Sequence, residues 1–349
     1  MTKESLVLYL IRKALSSNIE SPFLSDVSNE IWEDALILAT RQGVLAICFE
    51  AIEQLSATQR PPLELLLQWY GQTEQQKLQY EQIWAVARKL DKLWTAADIT
   101  ATILKGRSIA QYYPVPSHRY SCDLDVFIEK DWENACKLLE EKGIQLEHEV
   151  YKEVEFTLND VYVECHRYIT PIRGNKNLQE VERYLRSLLH GEPKVYFDGT
   201  TLVCPPLMFN AILLVEHALG DFLQGNLLLK HIVDWVVFRK QNVNWETFNL
   251  RCKEFRFDRF VALIDAMADV VEGKLAYESL SSSYRDVFDE MFNKYSESSG
   301  HQSWFRRRLK QFFNIAKNGK KFRNYGYTSM TKFLFNITWA HFFDKEVKI

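Results

Sequence analysis

The sequence predicts an α+β protein, a small mixed β-sheet carrying helices and set between two large helical additions. Three observations point there. Apolar residues recur at helical spacing through residues 1–98 and again through 205–349. Residues 99–204 instead hold short β-branched runs bounded by glycine, proline and Asn-Asp signals. Inside that block strand and helix alternate and then end in a hairpin, which is the pattern of a mixed sheet. The chain thus divides into a helical region 1–98, a sheet-bearing core 99–204 and a helical region 205–349. With 349 residues, 47% of them hydrophobic, it can bury a sizeable core.

The elements follow in order. Leu6 to Leu15, Glu30 to Leu38 and Val44 to Leu55 carry the apolar faces of short helices. A longer helix starts after Pro61-Pro62, with Tyr80, Ile83, Trp84, Ala87, Leu90 and Trp94 in a stripe that reads as core packing. Thr100 to Leu104 suits a strand, and Gly106 opens a short helical stretch. Pro114 and Pro116 mark a loop before a strand at Cys122 to Ile128. Asp131 is placed to cap a helix that Gly143 closes. Val154 to Leu158 and Val161 to Cys165 form a hairpin about Asn159-Asp160, and Lys194 to Val203 forms another about Asp198-Gly199. A helix to Leu189 lies between the hairpins, and Leu207 to Leu219, Leu227 to Arg239 and Phe257 to Val271 are the clearest helices after them.

Composition excludes several classes. A formal net charge of -3 gives no overall bias toward polyanions. The six cysteines form no C-x-x-C pair, which speaks against a zinc knuckle and for a reduced, cytoplasmic protein. The apolar run Leu6 to Ile11 lacks a cleavage pattern, and no stretch reaches the length of a transmembrane span. The tail is distinctive. From Phe305 to Phe343 no acidic residue occurs, while Arg306, Arg307, Arg308, Lys310, Lys317 and Lys321 fall among aromatics such as Phe312 and Phe313. That suits either a solvated helix face or a patch for RNA, other phosphates or a membrane surface.

Chemistry concentrates in the central block. In a strand, Asp123 and Asp125 share a face about 7 Å apart, with Cys122, Leu124 and Val126 turned into a core. Paired carboxylates on a short apolar strand call for a cation or open water, and hard oxygen ligands suit Mg²⁺. The same alternation in Val161 to His166 sets Glu164 beside Tyr162 and His166, and a neighbouring position would add a third carboxylate. Upstream, Lys105-Gly106-Arg107-Ser108 follows a strand and opens a helix, where backbone N–H groups can approach a phosphate. Lys105, Arg107 and Ser108 are alternative donors there, and Arg119 can reach either a triphosphate or an aspartate. His217 with Asp221, and Lys230 with Asp234, stand one helical turn apart beyond the sheet.

These elements, in this order, resemble the polymerase-beta-type nucleotidyltransferase superfamily. More narrowly, Leu104-Lys105-Gly106, Tyr113-Pro114, Arg119, Asp123-Leu124-Asp125 and Glu164-Cys165-His166 resemble the bacterial family of uncharacterised nucleotidyltransferases. His217, Lys230, Asp234 and Trp235 are similar to that family's C-terminal part. The resemblance implies a nucleotidyltransferase core in which Asp123, Asp125 and Glu164 ligate Mg²⁺ or Mn²⁺ and Glu164 helps deprotonate the acceptor. Gly106, with Lys105 or Ser108, would hold the triphosphate, with Arg119, Lys230 and Asp234 also binding the donor. A nucleoside monophosphate would pass from an NTP such as ATP to a hydroxyl of a small molecule, sugar, tRNA or protein, releasing pyrophosphate. Arg107 stands where the superfamily has serine or glycine directly after the glycine, so the phosphate contact is open. The alternative expectation is a catalytically degenerate nucleotide-binding or regulatory protein on the same scaffold.

Overall fold

The computed structural model describes residues 1–16, 24–149, 151–191, 194–293, 315 and 317–340. Near the N-terminus, α1 (Lys3–Leu15), α2 (Asn29–Arg41) and α3 (Leu45–Glu53) precede the long α4 (Leu63–Thr95). Thr2 and Ser28 start the first two helices by accepting the N–H groups of Ser5 and Ile31. The central block supplies β1 (Ala101–Ile103), α5 (Gly106–Ala110), β2 (Asp123–Ile128), α6 (Trp132–Glu141), β3 (Leu146–Glu149), β4 (Glu153–Leu158) and β5 (Val161–His166). It continues through α7 (Lys176–Gly191), β6 (Val195–Tyr196) and β7 (Val203–Cys204). Then come α8 (Leu207–Gln224), α9 (Leu229–Phe238), α10 (Trp245–Glu254), α11 (Asp258–Glu272), α12 (Ser282–Asn293), α13 (Gly319–Tyr325) and α14 (Met330–Ala340).

The strands form one mixed sheet in the order β3-β4-β5-β2-β1-β7-β6. β2 runs parallel to β5 and antiparallel to β1, and β4 closes the hairpin onto β5. The turn residues Asn159 and Asp160 have φ +50 and +61, the left-handed pair that a tight hairpin demands. The chain is therefore α+β with helical additions, as the texture change at residue 99 implies.

Two apolar cores organise it. One face of the sheet, including Val126, Ile128, Val163 and Phe156, packs on Trp84, Leu90 and Trp94 of α4 and on Leu139 of α6. Burying each such side chain stabilises by roughly 1.5–3 kcal/mol. The other core joins both helical additions. Arg12 of α1 donates to the carbonyls of Val270 and Val271 at 2.6 and 2.9 Å, which closes the end of α11. Buried Gln42 accepts the Leu229 N–H at 2.8 Å and donates to the Met291 carbonyl at 2.9 Å. Phe127 belongs to this second core although its strand neighbours Val126 and Ile128 belong to the first, so the sheet separates the two.

Several expectations change. Cys122 lies one residue ahead of β2 and is exposed, because the strand's inward alternation begins only at Leu124. Asp131 takes φ +59 and makes no side-chain cap, so backbone geometry rather than its carboxylate turns the chain into α6. The edge strand β3 and the helix α10 carry weaker apolar patterns than the elements singled out above. Arg306, Arg307, Arg308, Lys310, Phe312 and Phe313 lie outside the described residues. Within the described residues Lys321 pairs with Glu290 at 2.8 Å. No helix among the described residues is long and apolar enough to cross a membrane.

Candidate active site

The face of the sheet turned away from α4 is crowded with acid groups. Asp125 on β2 pairs in register with Glu164 on β5, and Phe127 pairs with His166. On the other side of β5, β4 sets Glu155 beside Glu164 and Glu153 beside His166. Neighbouring strands lie about 4.8 Å apart, and like charges side by side are destabilising. Three adjacent strands thus concentrate negative charge on one patch, with Asp123 one pleat further along β2.

Asp125 is the centre of this patch and is 4% exposed. Lys105 Nζ lies 3.1 Å from its Oδ1, and His166 Nε2 lies 2.9 Å from the same oxygen. His166 Nε2 is also 3.5 Å from Glu164 Oε2. The other ring nitrogen, Nδ1, is 2.7 Å from Glu153 Oε2, close but off the line of a hydrogen bond. Lys152 Nζ completes the chain at 2.8 Å from Glu153. One ligand atom each from Asp125, Glu164 and His166 falls within 4.8 Å of the others.

The charges respond unequally. Burial opposes ionisation of Asp125, but Lys105 and His166 overrule it and hold the carboxyl well below its usual range. Glu164 meets the His166 Nε2 only at 3.5 Å. Burial, then the charges of Asp125 and Glu153, raise it to about 7. Asp123 is raised by burial and by Asp125, against the pull of Lys105, Lys230 and Arg119. Lys105 is raised because its carboxylate neighbours outweigh burial. The patch holds more negative charge than its lysines cancel, and hard carboxylate oxygens are the donors that Mg²⁺ or Mn²⁺ takes.

Beside the carboxylates, the chain turns sharply. Lys105 adopts φ +47, ψ -129, a region that suits glycine, and Gly106 follows at φ +35. A Cβ on Gly106 would meet only Ser121 Oγ at 3.8 Å, so this turn demands the backbone angle and not the space. The strain at Lys105 costs on the order of 1–3 kcal/mol and aims the amine at Asp125. A narrow cleft runs past the turn, lined by Tyr80, Trp84, Gly106, Arg107, Asp123 and Asp125. Arg107 lies over Trp84 and Tyr80, 4.2 and 5.0 Å from the ring centres. The start of the α4 stripe therefore lines a cleft rather than only packing a core.

The remaining expected residues divide. Lys230 is half-buried, lies over Tyr120 at 5.7 Å and acts electrostatically on Asp123. Ser108 is fully buried and does not face the cleft. Its hydroxyl donates to the Lys105 carbonyl at 2.6 Å and lies 3.3 Å from Asn210 Oδ1. Arg119 pairs with Asp234 and with neither strand aspartate, through two hydrogen bonds of 2.8 Å, and donates to the Gly106 carbonyl at 3.3 Å. Asp234 also accepts the Tyr113 hydroxyl at 2.6 Å. Asp234 and Arg119 thus brace the glycine turn from inside the protein. Sequence reasoning missed Glu153 because it began the strand at Val154, and missed Lys152, which lies just ahead of the strand. The alternation Glu153, Glu155, Thr157 is the signal that exposes Glu153.

The model of the family described as uncharacterised nucleotidyltransferases matches residues 28–271, and the chain belongs to that family. The match starts in the N-terminal helices and ends in α11, so it takes in helices from both additions as well as the sheet. No curated protein and no solved structure matches the chain.

Proposed function

We propose that the protein transfers a nucleoside monophosphate from an NTP to an acceptor hydroxyl, with Asp123, Asp125 and Glu164 as the acid site. The convergence of Asp125 and Glu164 in register on adjacent parallel strands carries this reading. Mg²⁺ or Mn²⁺ held by the three carboxylates would supply charge neutralisation and Lewis acidity at the phosphates. Glu164, set in register beside Asp125, is suited to take the proton of the acceptor hydroxyl. That oxygen bonds to the α-phosphorus as the bond from the α-phosphorus to the bridging oxygen breaks, and pyrophosphate leaves with the electron pair. Lys105 and Lys230 bring positive charge toward the donor. His166, fixed between Asp125 and Glu153, holds the Asp125 carboxylate in place. Arg119 and Asp234 support the turn at Gly106 rather than touching the nucleotide.

One observation favours the degenerate alternative. Lys105 and His166 already share Asp125 Oδ1, so the protein's own cations partly neutralise it. The test uses α-labelled nucleoside triphosphates with Mg²⁺ or Mn²⁺, acceptor panels including tRNA, sugars and protein, and an Asp123→Ala, Asp125→Ala control. Label transfer with pyrophosphate release, reduced at least about a thousandfold in the control, is expected. Tight nucleotide binding without turnover across the panel would assign the chain to the degenerate class.

A further inference from the structure

On the far side of Lys105 lies a second cavity, of about 210 Å³, between the acid face of the sheet and α8. Lys105, Lys152 and His166 line one wall, and Glu216, His217 and Asp221 line the other. At its α8 end stands a cluster that the transfer reaction does not use. His217 and Asp221 are one turn apart on α8, and His231 comes from α9 after the left-handed turn at Gly225. His217 Nε2 is 3.6 Å from Asp221 Oδ2, and His231 Nε2 is 3.1 Å from the same oxygen. One ligand atom from each residue lies within 4.8 Å of the other two.

We infer that His217, Asp221 and His231 form a second metal site, selective for a borderline divalent cation such as Zn²⁺. Three features support it. For bonds near 2.1 Å, ligands at the corners of a tetrahedron stand about 3.4 Å apart. The two nitrogen-to-oxygen separations, 3.6 and 3.1 Å, lie on either side of that value. Two imidazoles with one carboxylate suit Zn²⁺ and its neighbours, whereas Mg²⁺ prefers oxygen alone. His231 is 8% exposed, and its Nε2 is buried without a hydrogen bond while aimed into the cluster. A ligating Nε2 requires the ring proton on Nδ1, and the Leu228 carbonyl stands 3.2 Å from Nδ1 to accept it. The competing arrangement has the Leu228 N–H donating to Nδ1 at 3.0 Å, which leaves the proton on Nε2 facing Asp221. Because His217 and Asp221 line the cavity, the fourth position opens into it, where water or a heteroatom of a small molecule completes the set.

The inference stands apart from the transfer reading, and neither falls with the other. Its test is Co²⁺ titration of the full chain after chelator treatment, followed by competition with Zn²⁺ and with Mg²⁺. The expected result is one equivalent of Co²⁺ with the intense visible bands of four-coordination, displaced by Zn²⁺ and not by Mg²⁺. His217→Ala and His231→Ala are each expected to weaken binding about 10- to 100-fold. A variant with Asp125→Asn and Glu164→Gln is expected to bind as the wild type does. The wild-type spectrum decides even if a histidine variant fails to fold. Absence of those bands, their survival in a His217→Ala, His231→Ala variant, or their loss in the carboxylate variant overturns the site.

Discussion

Arg119 with Asp234, and Asp123 with Asp125 and Glu164, are two groups of titratable side chains at least partly withdrawn from water, and they are balanced differently. In the first, one guanidinium meets one carboxylate through two hydrogen bonds of 2.8 Å, with Tyr113 filling a further acceptor position. Its charge closes on itself. In the second, Asp123, Asp125, Glu164 and Glu153 face Lys105, Lys152 and a shared histidine. Negative charge is in excess, and burial with the charges of Asp125 and Glu153 pushes Glu164 to about 7 against the pull of His166 and Lys105. A closed ion pair holds a backbone turn in place. An open acid cluster is a demand for cations, and the fold tolerates it at a cost in stability.

The contrast can be broken at the closed pair first. Arg119→Ala leaves Asp234 buried without its counter-charge and is expected to cost about 3–5 kcal/mol in chemical denaturation. An Arg119→Met, Asp234→Leu double variant is expected to recover most of that loss, because both desolvated charges go together. If the single variant denatures like the wild type, the pair does not brace the turn.

The open cluster is expected to behave in the opposite sense, by a smaller amount. Unfolded, Glu164 titrates near 4.5, and folded near 7. Between these values the folded chain keeps a proton that the unfolded chain has lost, so stability falls as pH rises through the window. Glu216, raised to about 7 by burial, adds to the same slope. After removal of divalent cations, the melting temperature is therefore expected to decline between about pH 5 and 8. Glu164→Gln is expected to flatten part of that slope and to stabilise the protein by about 1–2 kcal/mol above neutral pH. Added Mg²⁺ should do the same for the wild type. A Glu164→Gln variant that melts lower than the wild type at pH 8 would show the carboxylate to be structurally satisfied.

The same distinction explains what could be read from the sequence. Asp123, Asp125 and Glu164 were legible because strand alternation is local: each sits two residues from, or between, apolar neighbours that must point inward. Arg119 was visible as a candidate, but its partner lies 115 residues away on α9, a distance that no local pattern spans. Ser108 looked like a phosphate donor because it follows a glycine turn, yet α5 turns it toward Asn210 of α8. The joint role of His166 depends on the β4–β5 register, which sets Glu153 against it. Tyr80 and Trp84 kept a core-like spacing, and only the placement of Arg107 above them marks that end of α4 as a cleft wall.

The most direct test of the open acid cluster is a crystal structure with Mn²⁺ and a nucleoside triphosphate analogue that cannot be cleaved between the α- and β-phosphates. Anomalous scattering locates the ions independently of the nucleotide. Two peaks about 3.5–4 Å apart are expected, held by Asp123, Asp125 and Glu164, with Lys105 displaced from Asp125. A bound nucleotide with Lys105 still on Asp125 and no ion on the three carboxylates would contradict the account.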